Sequence, residues 1–365
     1  SPIDLPPVNG IDPETGAEII QYTQEGKTNR TLYFTNRPYV CDGEHIVFLS
    51  DRTGRNEMFL LHLKSGKIVQ LTDVEGQSNV SNCIHPKRPE LYFRAKASIF
   101  RVWFDTLKTE ELLRAPEGFG IGILNLNHPP WLAFEMVEKI EGISLIKDGK
   151  PVPSGLNFEM HHLRPRSLIY RFNVDDGKLE CLWGDLALLT HVQISPTNPN
   201  LLIYSDWCGY GRDRVWYLDL KKRIKSPARP LLGETQTSRG GHECFTRKGN
   251  LYLQWMEGDL QEDGKHQLMH AFKFLEGCPI ETVQNAPFKR YAVPEKLGYM
   301  MHHYTMSYDE KWGVHDRWLT APTFEENKAH LSIFRHQDDE PQSVFMKLCF
   351  HNGAKGDRIN LGAEF

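Results

Sequence analysis

The chain has 365 residues, of which 40% are hydrophobic and 25% are charged, and its formal net charge is −4. These values are typical of a globular protein with a sizeable core, and the charge gives no bulk attraction to nucleic acid. No run of about 18 apolar residues occurs, so no membrane-spanning helix is expected. The seven cysteines are scattered without a CxxC pair, which favours a reducing compartment over a disulfide framework or a zinc site.

A short stretch near the N-terminus, Ile19–Thr23, is similar to Ile68–Thr72. The second copy ends a unit with predicted strands at His45–Ser50, Glu57–Leu63 and Lys67–Thr72. The first copy stands alone, with no strand predicted before it. A lone last strand at the start of a repeat array predicts a closed ring, in which this strand completes the final blade of a β-propeller.

Similar units recur along the chain at intervals of roughly 40–60 residues, the range of propeller blades. Each begins with a short strand rich in aromatic and β-branched residues and bounded by turn residues. These strands are Leu91–Arg94, Trp131–Phe134, Leu201–Tyr204, Leu251–Trp255 and Lys311–Val314. We therefore predict an all-β chain that forms one β-propeller domain over residues 1–365.

The number of blades does not follow directly from the count of units. Six units and the N-terminal strand are visible, and Phe350 is followed by 15 residues, too few for three more strands. We predict seven blades, the last of which is incomplete at the C-terminus of this sequence.

Histidines recur just before the predicted inner strands, where the blades of a propeller surround the channel. They are His191, His242 and the pair His302 and His303. Taken singly, each histidine is explained by a hydrogen bond to a neighbouring loop. Three at equivalent blade positions favour a shared site at one end of the channel.

Arg214 opens a predicted strand and has two interpretations. It could form a structural salt bridge with Asp213 or Asp219, or its guanidinium could bind an acidic group of a substrate through two parallel hydrogen bonds. The sequence contains no GxSxG, P-loop or HExxH motif, so nothing supports a serine hydrolase, a nucleotide-dependent enzyme or a zinc protease.

Several segments together resemble one family, the oligogalacturonate lyases, over about residues 17–351. The segments that carry the resemblance are Leu32–Asn36, Ile46–Gly54, His191–Pro196, Asn200–Tyr204, Arg214–Trp216, Gly241–Glu243 and Leu348-Cys349 with His351. The resemblance implies a seven-bladed propeller that cleaves short oligogalacturonides by β-elimination and leaves a 4,5-unsaturated uronate.

The same resemblance implies roles for individual residues. His242 is similar to the catalytic base, Arg214 to the arginine near the reacting uronate, and His191 with Arg214 would bind substrate. His303 is similar to the first histidine that holds a manganese ion, or another divalent cation, with His302 as the alternative. The partner implied is an acidic oligosaccharide, with no nucleic acid and no membrane, in the cytoplasm, or in the periplasm if a signal peptide has been removed.

The chain departs from the family pattern in two places. The family's remaining metal ligands lie in a Gln-x-x-His-x-His segment beyond Leu348-Cys349, and this sequence has no such segment. Asn29, Arg30 and Thr31 stand where family members carry histidines, which leaves a different uronate open as substrate. Two other functions remain open. One is a non-catalytic propeller that binds a glycan or a protein, and the other is a glycoside hydrolase with two facing carboxylates.

Overall fold

A computed structural model describes residues 7–13, 15–24, 28–140, 146–147, 150–151, 163–207, 214–228, 239–257, 267–292, 301–317, 329–335 and 344–351. These residues form an all-β structure in which six antiparallel sheets follow one another along the chain. Inner strands of the second to sixth sheets contact those of the next sheet along the chain, as blades do around a channel. The predicted β-propeller is therefore confirmed.

The first three blades each have one strand that faces the channel and others stacked outward. Blade 1 contains β3 (Asn29–Arg30), β4 (His45–Ser50), β5 (Glu57–His62) and β6 (Ile68–Gln70). Blade 2 contains β7 (Gln77–Ile84), β8 (Glu90–Ala95), β9 (Ser98–Trp103) and β10 (Thr109–Arg114). Blade 3 contains β11 (Phe119–Ile121), β12 (Asn125–His128), β13 (Trp131–Glu138), β16 (Arg166–Asn173) and β17 (Leu179–Leu186), with the small hairpin β14 (Ile146–Lys147) and β15 (Lys150–Pro151) inserted.

The other three blades repeat this plan with four strands each. Blade 4 contains β18 (Leu189–Ile194), β19 (Leu201–Asp206), β20 (Val215–Asp219) and β21 (Ile224–Pro227). Blade 5 contains β22 (Arg239–Phe245), β23 (Leu251–Glu257), β24 (Gln267–Lys273) and β25 (Phe288–Ala292), with a 3₁₀ helix at Ile280–Asn285. Blade 6 contains β26 (Met301–Met306), β27 (Trp312–Arg317), β28 (Ala329–Arg335) and β29 (Val344–His351).

The N-terminal strand does not have the partner that the sequence predicts. Glu18–Gln21 (β2) pairs with an upstream strand, Val8–Ile11 (β1), where no strand was expected. A tight turn allows this pairing, because the Gly16 N–H donates to the Asp12 carbonyl at 2.9 Å and Gly16 has a φ of +73°. Within the described ranges, β2 makes no pairing with a final blade. Six blades are seen there, and the seventh stays a prediction.

The innermost strand of each blade also differs from the sequence prediction. The sequence places the inner strands of blades 4 and 5 at Leu201–Tyr204 and Leu251–Trp255, but these are second strands. The innermost strands, β18 and β22, come just before them and contact each other across the blade boundary. They lack an alternating apolar pattern because a bulge interrupts each of them, and the sequence therefore did not show them as strands.

The hydrophobic core lies mainly between blades. Tyr92, Ile99 and Phe134 belong to one buried cluster that joins blades 2 and 3, and Ile169 and Leu202 belong to another that joins blades 3 and 4. Alternate residues of a strand face opposite neighbours, so every middle blade contributes to two such clusters. Burial between blades is thus what holds the inner strands in a ring around the channel.

Side-chain amides fasten the inner ends of the first three blades to one another. The Asn36 amide donates to the carbonyl of Asn82 at 3.0 Å and to that of Leu124 at 2.8 Å. Asn125 donates to the Thr35 carbonyl at 3.3 Å. These buried bonds fix the segment that follows β3, because each amide would lose hydrogen bonds if the segment moved.

No helix in the described part of the chain is both long and apolar enough to span a membrane.

Gly313 is predicted to be essential for packing in blade 6. A Cβ atom at this position would overlap the ring of Phe334, which is completely buried. Gly313→Ala should therefore lower the free energy of unfolding by about 1–3 kcal/mol, the usual cost of overpacking a core. Urea titration measures the change.

Gly120→Ala is the matched control, since it also lies in a strand but its Cβ would come no nearer than 3.8 Å to another residue. Equal stability of Gly313→Ala and Gly120→Ala would contradict the packing at Phe334.

Candidate active site in the channel

The predicted site histidines lie within the innermost strands, not before them. Each of β18, β22 and β26 has a bulge at which two residues have no partner in the next strand. These pairs are His191 and Val192, His242 and Glu243, and His302 and His303. Bulges redirect side chains, and here the same device is repeated in three consecutive blades.

The backbone at two of these bulges is left-handed. The φ angle is +56° at His191 and +49° at His242. A non-glycine residue in this region costs on the order of 1–3 kcal/mol and persists only where surrounding structure enforces it. Such strain at corresponding positions of two blades makes these bulges candidate functional positions.

Phe34 is the point at which the three histidines meet. Its ring centroid lies 5.9 Å from that of His191, 5.7 Å from that of His242 and 4.8 Å from that of His303, with which it stacks. The centroids of His242 and His303 are 5.1 Å apart. The structure therefore brings together histidines of blades 4, 5 and 6 on one aromatic residue of blade 1.

A chain of buried hydrogen bonds crosses the same region. The Tyr33 hydroxyl lies 3.0 Å from His191 Nε2, and His191 Nδ1 lies 3.1 Å from Glu243 Oε1. The Ser205 hydroxyl donates to the same Glu243 oxygen at 2.6 Å. His191 is 3% exposed and Glu243 is 0% exposed, so this network is part of the wall of the site.

This network does not favour the predicted contact between His191 and substrate. Both ring nitrogens of His191 already have partners within the protein. A substrate would have to displace Tyr33 or Glu243 to reach either nitrogen. His191 is better placed to orient Tyr33 and to connect it with the Glu243 carboxylate.

Glu243 remains ionised although it is buried. Burial raises the pKa of its carboxyl group, but His191, through its charge and its hydrogen bond, together with Arg214 and Ser205, lowers the pKa to below its ordinary value of 4.5. A buried negative charge thus stands beside two cationic or polarisable groups. Gln193 also fixes the Glu243 backbone, because its side-chain amide donates to the Glu243 carbonyl at 2.9 Å.

Arg214 lies against the residue that precedes His242. A Cβ atom at Gly241 would be 3.0 Å from Arg214 Nη1, so a side chain there would press on the guanidinium group in its present position. The guanidinium carbon lies 4.5 Å from the centre of the Trp207 ring. Arg214 forms no ion pair with Asp219 or any other carboxylate in the described ranges, and Asp213 lies outside them. The salt-bridge interpretation of Arg214 is therefore not supported.

His303 is buried, with 2% exposure, between Phe34 and His242. By bulge position it corresponds to Glu243, whereas His302 corresponds to His242 and His191. The side chain of His302 lies outside the described residues. Over the part of the chain that is described, no group of three or more His, Cys, Asp or Glu side chains could hold a metal ion.

Sequence reasoning missed Tyr33, Phe34 and Glu243 as site residues. Tyr33 and Phe34 follow a two-residue strand and look like ordinary core aromatics. Glu243 did carry a signal, since an acidic residue between His242 and the apolar Cys244-Phe245 is unusual for a buried strand.

A cavity of about 600 Å³ lies beyond the C-terminal ends of the inner strands, where they turn into the second strands. Asn36, Asn127, Pro196 and Tyr308 are among its lining residues. The lining described for it includes neither the three histidines nor Arg214. The histidine cluster and this cavity are therefore different places along the channel.

The fold and this cluster define a β-propeller with a polar, histidine-lined site in its channel. The family model for oligogalacturonate lyase matches residues 8–222, more than half of the chain. The chain therefore belongs to the oligogalacturonate lyase family.

Two curated relatives are similar over the same extent. The oligogalacturonide lyase of Pectobacterium atrosepticum is 23% identical over 262 residues, and the oligogalacturonate lyase of Dickeya dadantii is 23% identical over 261. Each match covers 68% of this chain and 63% of the relative. The chain thus spans less than two thirds of the length of the curated relatives that it matches.

Solved structures agree on the fold. An oligogalacturonate lyase from Vibrio parahaemolyticus has a TM-score of 0.78 at 17% identity and covers 97% of this chain and 87% of its own. An oligogalacturonate lyase in complex with manganese has a TM-score of 0.79 at 16% identity and covers 97% and 86%. At these identities the likeness concerns the architecture.

Glu243 is predicted to make stability depend on pH in the acid range. Its pKa is lower in the folded protein than the ordinary 4.5, so its contribution is complete above that pH and is lost as pH falls through the folded pKa. Glu243→Gln should lower the free energy of unfolding by about 2–3 kcal/mol at pH 7, because bonds to a buried charge are lost. The difference should shrink steadily below pH 4.5.

Urea titrations of both proteins from pH 7 to pH 3.5 measure this difference. Glu111→Gln serves as control, since Glu111 pairs with Arg114 on the surface and should contribute less than about 1 kcal/mol. A difference for Glu243→Gln that stays constant into the acid range would contradict the ionised state of Glu243.

Proposed function

We propose that this chain cleaves oligogalacturonate, or a closely related uronate oligosaccharide, by β-elimination to a 4,5-unsaturated product. The observation that carries the proposal is the convergence of His191, His242 and His303 on Phe34, with Arg214 packed beside His242. Membership of the oligogalacturonate lyase family and the two curated relatives support the substrate class.

The proposed reaction starts at C5 of a uronate ring. Its proton is only weakly acidic, and removal places negative charge on the neighbouring carboxylate. Arg214 would bind that carboxylate and stabilise the charge where it develops, an effect worth several kcal/mol in a site shielded from water. Its half-buried position over Trp207 supports this role, because the guanidinium group has no carboxylate partner among the described residues.

His242 is the proposed base. Imidazole has an ordinary pKa near neutrality, so it can accept the C5 proton at physiological pH and contribute roughly 10²–10⁴-fold to the rate. The electron pair of the broken C5–H bond forms the C4–C5 double bond, the C4–O bond breaks with its electron pair on oxygen, and that oxygen takes up a proton from water. His242 is more exposed than His191 and His303, which supports its access to substrate.

The described residues meet the requirements of a metal site only in part. His303 would supply one nitrogen ligand, and the ion would add positive charge next to the uronate carboxylate. A single histidine is not a complete site, and no step of the proposed reaction depends on the ion. The likeness to a structure that holds manganese supports testing this metal first.

Removing the proposed base should abolish turnover without unfolding the protein. His242→Ala should reduce kcat at least 100-fold, measured as the near-ultraviolet absorbance of the unsaturated product from short oligogalacturonides. His45→Ala is the control, because His45 lies on the outside of blade 1 against Asp42. Full activity of His242→Ala would show that another group is the base. Absence of product from the unmodified protein, with and without manganese, would favour a binding propeller.

The planar shape of the Arg214 guanidinium group should be needed for activity as well as its positive charge. Arg214→Lys keeps the positive charge but loses the planar fork, so we expect kcat/KM to fall about ten- to a hundredfold. Arg247→Lys, at the other end of the channel, is the matched control. Unchanged kinetics of Arg214→Lys would remove Arg214 from the reacting centre.

A further inference from the structure

Arg94 in blade 2 is a half-buried arginine without an ionic partner. Its Nη2 atom donates to the Ser78 hydroxyl at 2.9 Å. Its Nε atom is buried and has no hydrogen-bond partner, and no carboxylate of the described residues lies within 4 Å of its guanidinium group. Burial lowers the pKa of Arg94, which means that the charge is poorly compensated.

Other half-buried arginines of blades 2 and 3 form ion pairs with carboxylates. Arg88 pairs with Glu90 and Asp175, Arg101 pairs with Glu110 at 2.7 Å, and Arg171 pairs with Glu180 at 2.6 Å. An unpaired cation removed from water is costly. Arg94 has no such partner in the described structure. An anionic group supplied by a ligand would therefore offset this cost.

Among the described residues, Glu135 is the carboxylate that interacts electrostatically with Arg94, but the two form no ion pair. Glu135 in β13 is fully buried, and burial raises the pKa of its carboxyl group to about 7, which disfavours its charged form. One of its oxygens accepts the Ile123 N–H at 3.0 Å, and the other has no hydrogen-bond partner. Its carboxyl group fills the space where a Cβ of Gly122 would be, so it is held in place.

Position connects Arg94 with the histidine cluster. Arg94 lies two residues beyond Tyr92 on β8 and thus faces blade 3, where the Tyr92 cluster lies. Glu135, its electrostatic neighbour, is also influenced by the backbone N–H of Val192, which follows His191 in the bulge of β18. Ser78, to which Arg94 donates, and Val192 both lie in innermost strands, β7 of blade 2 and β18 of blade 4.

We propose that Arg94 binds a second carboxylate of the oligosaccharide, on a uronate ring away from the one held by Arg214. The inference rests on the proposed function, because that function supplies a ligand with one carboxylate on every ring. Arg214 directly precedes the third strand of blade 4, and Arg94 is the next-to-last residue of the second strand of blade 2. A chain that reaches from one to the other makes two arginine contacts, and a shorter chain makes one.

Binding measured without turnover tests this proposal. In a His242→Ala background, isothermal titration gives the affinities of mono-, di-, tri- and tetragalacturonate. Adding Arg94→Gln should weaken binding of the longest ligand roughly ten- to a hundredfold, the loss expected for a charge-assisted hydrogen bond. The affinity of the shortest ligand that binds should stay within about twofold.

Two further variants keep the result interpretable. Arg114→Gln makes the same charge change on the exposed edge of blade 2, next to Glu111, and should alter no affinity. Arg94→Lys retains the charge and should lose less affinity than Arg94→Gln, again only for longer ligands. It also provides the measurement if Arg94→Gln does not fold by circular dichroism.

An equal loss at every ligand length, or no loss at any, would overturn the second carboxylate site. If the His242→Ala protein binds no galacturonide of any length, the proposed function itself fails. That outcome differs from an Arg94 effect because it appears before Arg94 is changed.

Discussion

The site depends on the placement of Phe34 in the channel. The histidines of three bulged inner strands meet at one point in the channel. The Phe34 ring occupies that point and contacts all three imidazole rings. The segment that carries it contains almost no regular structure, since β3 has two residues. Its rigidity comes instead from Asn36, whose amide is bonded to the backbones of blades 2 and 3. Blade 1 thus holds one side of a site whose titratable groups come from blades 4, 5 and 6.

The repeated bulge explains how the inner strand of a propeller blade can present two adjacent side chains to one site. A regular inner strand would point alternate side chains toward the channel and into the blade interface. Two unpaired residues change this alternation, so adjacent residues such as His242 and Glu243 both serve the site while the strand continues. The cost is the left-handed backbone at His191 and His242, and burial between blades offsets it. Gly241 belongs to the same arrangement, because its missing side chain gives Arg214 its place.

The β-propeller fold and the histidines of the site could be predicted from the sequence, and the burial of the strands explains why. Second strands such as Leu201–Asp206 are buried on both faces and have a strong apolar pattern, so the blades were visible. The inner strands carry polar and bulged residues, so they were missed, and the histidines appeared to precede strands in which they lie. The hairpin Val8–Gln21 was missed because β1 is exposed and has little apolar content. Tyr33 could not be assigned to the site, because its role arises from a contact with His191, which is far away in sequence.

Charge in the channel follows one pattern on both sides of the site. On the blade 4 and 5 side, His191 and Ser205 both bond one oxygen of Glu243 and lower its pKa, and Arg214 interacts with this carboxylate electrostatically without forming an ion pair in the described structure. On the blade 2 and 3 side, Glu135 has a pKa near neutrality and leaves Arg94 still less compensated. In both cases a buried carboxylate lies near an arginine without forming an ion pair with it in the described part of the chain, which is what the proposed carboxylate contacts require. A direct salt bridge at either place would satisfy the protein but remove the attraction for a polyanion. Under the proposed function, an arginine that forms no salt bridge with a buried carboxylate can attract the carboxylates of an acidic oligosaccharide.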